Sequence, residues 1–281
     1  MISSLEYRGH NFYGPWFDQR DPSVRDFVHK DGKIIAGPAS GITGPVNEFQ
    51  KPVGFDSAKA GDVFLKIGVG SLRKPDDMPY NAYRGYEVVS NGEWSVKTTK
   101  DSIVFVQKLS AGGYGYEYQK ALRLTPGKAE MRMEHRLTNT GREPIATSVY
   151  NHNFLVLDHA SPGPEFELTF PFAVTSDRPP DAAAAAIRGN KAVYLKRLEN
   201  QERVSFPVQG FGADARDHDF RIENPALGVG MRITGDRPLA RIQLWSIRSV
   251  LALEPFLDIA LEPGKSFDWA TAYNYYQLPK P

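Results

Sequence analysis

The 281-residue sequence contains no cysteine, which removes disulfides, thiolate metal ligands and a cysteine nucleophile at once. A thiol-free chain suits either redox environment, so this absence leaves the compartment open. No stretch approaches the ~18 consecutive apolar residues of a membrane-spanning helix. Charge of one sign is missing too. Lys and Arg total 34 against 33 Asp and Glu, a formal net charge of +1. Neither nucleic acid nor an anionic membrane is therefore the expected partner. Helical periodicity is scarce, and no fixed-period repeat or Ser/Gly-rich linker divides the chain. The opening run through Glu6 and Arg8 has no apolar signal core. A cytoplasmic setting is the default expectation, and export would require a leader removed from this sequence.

What is present is a dense series of turn signals. Asp31-Gly32, Asn91-Gly92, Pro126-Gly127, Gly189-Asn190 and Pro263-Gly264 each lie between runs rich in β-branched and aromatic residues. Such dipeptides supply the positive or preset φ of tight turns, and their spacing predicts hairpins. The intervening runs alternate with period two. From Ala129 to Leu137 the odd positions are mostly apolar and the even ones charged, as in an antiparallel strand with one wet face. Residues 103–109, 166–172, 192–198 and 228–233 read the same way. Asp181 followed by five alanines predicts one surface turn of helix, and residues 18–28 read as loop. The expectation is a single all-β domain over residues 1–281, with few short helices and two packed sheets to bury its apolar faces.

Three strand-like runs each carry one ionisable group among apolar neighbours. In the run 62–70, Val63, Leu65, Ile67 and Val69 make one face and Lys66 lies on the other beside Phe64. In the run 149–155, His152 shares a face with Tyr150 and Phe154. In the run 249–256, Glu254 shares a face with Ala252 and Phe256. A buried carboxylate must meet a cation, a hydrogen-bond network or a wet cleft, and the same holds for a buried ammonium. An imidazole titrates near neutrality and desolvation raises a carboxyl, so His152 and Glu254 are a workable acid–base pair if they converge.

Two ordered groups of residues give these positions a context. The first runs from Leu137-Thr138-Asn139-Thr140-Gly141 to Tyr150-Asn151-His152-Asn153-Phe154. The second is Leu253-Glu254-Pro255, then Leu261-Glu262-Pro263-Gly264 and a closing run from Phe267 to Tyr275, with 102 residues between His152 and Glu254. This pattern, over roughly the second half of the chain, resembles the aldose 1-epimerase (galactose mutarotase) family. The resemblance implies a β-supersandwich of large antiparallel sheets and a free sugar as substrate. It also implies Glu254 as the base that takes the anomeric hydroxyl proton and His152 as the acid that protonates the ring oxygen.

The first half departs from that family: its early arginine loop and its His-Gly-Gly motif have no counterpart. Lys66 and Arg73 are the expected replacement cations. Tyr80, in the loop that follows Pro75–Pro79, is the expected stacking platform, and Asn151 is expected at the sugar beside His152. Two other readings stay open. A carbohydrate-binding module would keep the concave face without turnover. A glycoside hydrolase or lyase would need a second carboxylate near Glu254, for which Asp158 and Glu48 are the candidates. Gly68-Val69-Gly70 lacks the third glycine of a dinucleotide fingerprint. The acidic run Asp214, Asp217, His218, Asp219 follows no established metal spacing, so no metal or other cofactor is expected. A homodimer formed through a sheet edge is compatible with this reading.

Overall fold

The computed structural model describes residues 2–279. The protein is built almost wholly from antiparallel strands. Ten of them form one sheet in the order Glu93–Thr98, Ser102–Ala111, Tyr114–Leu124, Glu130–Asn139, Ser266–Gln277, Val229–Gly235, Asp219–Asn224, Glu167–Thr169, Lys191–Tyr194, Ala185–Arg188. Five more form a second sheet in the order Arg203–Pro207, Arg241–Ile247, Val250–Leu261, Ile145–Leu155, Gly44–Phe49. Among the described residues the only helices are two single 3-10 turns, Leu157–His159 and Ala215–Asp217. None is long and apolar enough to cross a membrane.

The period-two pattern of residues 129–137 is matched residue for residue. Met131, Met133, His135 and Leu137 are buried, while Arg132 and Arg136 are exposed. The turn dipeptides divide into two kinds. Asp31-Gly32, with both φ values positive, closes a two-residue hairpin with Lys30 opposite Lys33. Gly189-Asn190 does the same between Arg188 and Lys191, and Pro126-Gly127 joins the paired strands Tyr114–Leu124 and Glu130–Asn139. Asn91-Gly92 and Pro263-Gly264 instead hand the chain from one sheet to another. A turn dipeptide reverses the chain, but the faces that flanking strands bury decide which strands then pair.

At Asp181 a single capped turn forms and no helix continues from it. The Asp181 carboxylate accepts from the Ala183 amide, its carbonyl accepts from Ala184 and Ala185, and the alanines then enter the strand Ala185–Arg188. A few alanines give too short a run to offset the cost of helix nucleation. The run 62–70 is likewise two strands, Val63–Lys66 and Gly70–Arg73, so the alternation stops at the turn and Val69 is exposed.

The chain divides into two compact units. One comprises the residues up to Asn47, Asn151–Phe256 and those from Tyr273 on; the other comprises Glu48–Tyr150 and Leu257–Ala272. The first unit has an aromatic core around Trp16, Phe154, Ile247 and Val250. In the second, Phe49, Leu65, Tyr116, Leu137 and Trp269 form the larger cluster, and Phe55, Phe64 and Leu72 a smaller one.

Candidate active site

In the first unit, alternation along the second half of the strand Ile145–Leu155 sends its side chains to two different jobs. Asn151 and Asn153 face one way, into a buried polar set. Asn151 donates to the Tyr273 hydroxyl (3.1 Å), that hydroxyl donates to Asn153 Oδ1 (2.8 Å), and Asn153 Nδ2 donates to the Leu253 carbonyl (2.7 Å). Asn47 adds a bond to Asn151 Oδ1. Burial pushes the Tyr273 hydroxyl well above the usual phenol range, so it stays a neutral donor. A buried hydrogen-bonded network of this kind holds the backbone register of the strand.

His152 and Phe154 face the other way. The imidazole lies flat on the Phe154 ring, centroids 3.6 Å apart and planes 11° from parallel. Trp16 stacks on Phe154, and Trp245 meets His152 edge-on at 5.8 Å. The neighbouring strand Val250–Leu261 presents Glu254, whose Oε1 is 3.2 Å from His152 Nε2. The His152 side chain is 18% and the Glu254 side chain 10% exposed, enough to be reached but not enough to be freely hydrated. Burial pushes the imidazole down to about 3, so it is neutral at pH 7.

The next strand out completes the face. Residues directly opposite in an antiparallel pair share a face, and Gln243 is opposite Glu254, Trp245 opposite Ala252, and Arg241 opposite Phe256. Arg241 is exposed, with its guanidinium carbon 3.8 Å above the Phe256 ring. One face thus carries a carboxylate, an imidazole, an amide, a guanidinium and three aromatic rings. Hydrogen-bond donors and acceptors beside flat apolar rings are the chemistry that binds polyols. Gln243, Trp245 and Arg241 were not among the residues expected from the sequence. The signal was there, because Arg241-Ile242-Gln243-Leu244-Trp245 alternates and joins the Glu254 run through a short reversal.

The other expected residues sit elsewhere. Asn151 is bonded on the opposite side of its strand from His152. In the second unit, the buried Lys66 ammonium donates to the Phe49 carbonyl and to Glu48 Oε1 (3.3 Å) and lies 5.3 Å from the Tyr80 ring centre. Burial lowers its pKa, against the pull of Glu48. Tyr80 stacks on Tyr86 at 5.6 Å, and burial raises its hydroxyl pKa. Arg73 pairs with Glu87 (2.8 Å) and donates to the Gly61 carbonyl.

Both candidate second carboxylates have partners of their own. Asp158 receives His10 Nδ1 (2.6 Å) and the Asn11 amide (2.8 Å), and Glu48 receives Lys66 and the Tyr150 hydroxyl (2.7 Å). In the acidic run, Asp214 is bonded to Arg216 and Asp219 to Arg232, while His218 is buried. Among the described residues no group of three or more His, Cys, Asp or Glu is arranged to hold a metal ion.

No protein-family model matches the sequence, and no curated protein matches it. Solved structures do match in fold. The Slr1438 protein of Synechocystis sp. PCC 6803 is similar with a TM-score of 0.57 at 15% identity, covering 98% of this chain and 88% of that one. The GalM/aldose epimerase homologue of C. elegans gives 0.51 at 15% identity over 82% of both chains. A galactose mutarotase-like protein of Clostridium acetobutylicum gives 0.51 at 12% identity, over 84% of this chain and 80% of that one. The expected fold is therefore the observed one, a galactose mutarotase-like assembly of large antiparallel sheets.

Proposed function

We propose that this protein interconverts the anomers of an aldose by opening and reclosing its hemiacetal ring, with Glu254 and His152 handling the protons. The observation that carries this reading is the 3.2 Å approach of Nε2 to Oε1 on a face lined by polar and aromatic side chains. The fold likeness to aldose epimerase homologues supports a sugar as the ligand.

Ring opening removes a proton from the anomeric hydroxyl and delivers one to the ring oxygen as the C1–O5 bond breaks. The Glu254 carboxylate takes the first. An imidazole can give the second only from its protonated form, which burial opposes and a carboxylate at 3.2 Å favours. The pair therefore carries one working proton between them. After opening, the proton on the carboxyl crosses to Nε2 and restores the pair. The free aldehyde rotates about C1–C2, and closure on its other face runs the same steps backwards, giving the other anomer with no net change in the protein.

Assistance by two such groups is worth about 10²–10⁴ for each. Polarimetry or saturation-transfer NMR over a panel of aldoses tests the reading. Wild-type protein should speed equilibration of at least one sugar, while Glu254→Gln and His152→Gln should each lose 100-fold or more. Full activity in both variants would remove the assignment.

A further inference from the structure

One terminal strand of the ten-stranded sheet, Glu93–Thr98, lies in the second unit and has all six residues exposed. Trp94 is 46% and Val96 54% exposed. A strand wet on both faces has no core of its own, and one hydrogen-bonded neighbour holds it only marginally. Its ladder with Ser102–Ala111 is nevertheless unbroken, with six consecutive pairs and no bulge. Such an open edge is normally blunted by proline, by a bulge or by like charges that repel an incoming strand. Here the run Glu93-Trp94-Ser95-Val96-Lys97-Thr98 has no proline, and its two charges have opposite signs.

The order of these six residues is self-complementary. In an antiparallel pair centred on Ser95, each residue meets the one equally far on the other side of the centre. Trp94 of one copy then meets Val96 of the other, and the reverse, on one face of the sheet. Glu93 meets Lys97 twice on the opposite face. An aromatic–β-branched pair and an opposite-charge pair are the cross-strand combinations that stabilise sheets, and a two-fold axis supplies each of them twice. We propose that the protein forms a homodimer by antiparallel pairing of Glu93–Thr98 with the same strand of a second copy, in the register centred on Ser95.

Two sets of variants read this out. Sedimentation of the wild-type protein should show a dimer. Glu93→Lys alone places lysine against lysine, and Lys97→Glu alone places glutamate against glutamate. Each should weaken association tenfold or more with an unchanged circular dichroism spectrum. The double variant Glu93→Lys/Lys97→Glu restores opposite pairs and should restore the dimer. Because the chain has no cysteine, Ser95→Cys creates a single thiol on the axis. Paired Cα atoms in an antiparallel ladder are about 4.5–5.5 Å apart, within disulfide reach. Mild oxidation should link Ser95→Cys at least tenfold faster than Lys128→Cys in an exposed hairpin turn. A wild-type monomer at 100 µM overturns the proposal and leaves the edge to a strand of another protein. A dimer indifferent to both single charge reversals, or equal cross-linking of the two cysteine variants, overturns the register and with it the proposal.

Discussion

His152 lies flat against Phe154, ring centroids 3.6 Å apart, while its Nε2 faces Glu254 at 3.2 Å. The stack does two things: it fixes the plane in which the imidazole delivers a proton, and it withholds water from the ring. Phe154→Leu keeps an apolar side chain but loses the flat support. The His152 pKa should rise from about 3 toward the ordinary 6.5 as water enters, and turnover should fall about tenfold with little change in KM. Histidine-selective NMR titration reads the first effect and steady-state mutarotation the second. An unmoved titration in a folded variant would show that the stack does not govern the proton.

The protonated pair sets the expected pH dependence of the reaction. The resting imidazole is neutral at pH 7, and its protonated fraction grows as pH falls toward about 3. The enzyme-catalysed kcat/KM, corrected for the background reaction, should therefore climb as pH drops from 8 to 5.5. A profile that is level or falling over that interval would mean that His152 does not act as the acid.

Arg241 reaches the same face by a different route, its guanidinium held 3.8 Å over Phe256 while Gln243 stands opposite Glu254. A stacked guanidinium presents its N–H groups edgewise, in fixed directions, which suits the hydroxyls or the negative group of a sugar. It lies beyond the proton-transfer pair, so its contribution is to binding. Arg241→Ala should raise KM by about tenfold and leave kcat within about twofold. Arg241→Lys should not restore KM, because an ammonium cannot stack in that plane. Equal losses in kcat and kcat/KM would assign Arg241 to the transition state instead.

The fold was legible because its signal is repeated: period-two alternation over ten residues, as in Glu130–Asn139, leaves one strand geometry open. The meeting of His152 and Glu254 was implied by the family resemblance that their two runs carry, whereas the residue pattern alone left open whether the two converge. Asn151 was misplaced for a reason internal to the strand. Adjacent residues point to opposite faces, so a neighbour of His152 in sequence is its neighbour in space least of all. Lys66 was expected at the sugar as a replacement for the family's missing arginine, but sequence alone does not reveal that Glu48 and the Phe49 carbonyl are its partners. Arg241, Gln243 and Trp245 went unnoticed because their relation to Glu254 is a matter of register across a hairpin. A short apolar-polar run leaves that register open until its turn is placed.

Acid stability should be governed by buried histidines. His218 is 3% and His135 4% exposed, and burial holds the first at about 4 and the second well below the ordinary value. For His135 the neighbouring Lys120 adds to the effect. The unfolded chain binds protons to these rings near pH 6.5, whereas the folded chain keeps them neutral. Below 6.5 the unfolded state thus holds more protons, and stability falls as pH falls. The stabilisation is fully present above pH 6.5 and is lost progressively toward pH 4, with His152 adding a further contribution that extends to about pH 3. Calorimetry should show Tm dropping by several degrees between pH 7 and pH 5. His135→Phe, which keeps the stack on Trp269 at 4.7 Å without a titrating ring, should flatten that slope. A Tm level from pH 7 to pH 4.5 would show that these rings are protonated at no cost to the fold.

The His218 ring also leaves no room for a side chain at Gly235. A Cβ built on Gly235 would lie 2.0 Å from His218 Nδ1, with two further ring atoms within 2.6 Å. The His218 ring is wedged, because the Gly235 amide donates to the His218 carbonyl (2.9 Å) while the ring faces the glycine. A methyl group there must push out a buried aromatic ring or break the ladder in which Asp219 faces Thr234. Overpacking of this kind costs about 1–3 kcal/mol. Gly235→Ala should therefore lower Tm by several degrees at pH 7, and Gly235→Val by more. Neither substitution touches the His152–Glu254 face, so kcat of the folded fraction should be unchanged. The pair of variants separates space from backbone freedom: the backbone at Gly235 is not in the left-handed region, so any loss measures the collision alone. A Tm equal to wild type in Gly235→Ala would mean that the His218 ring has room to turn aside.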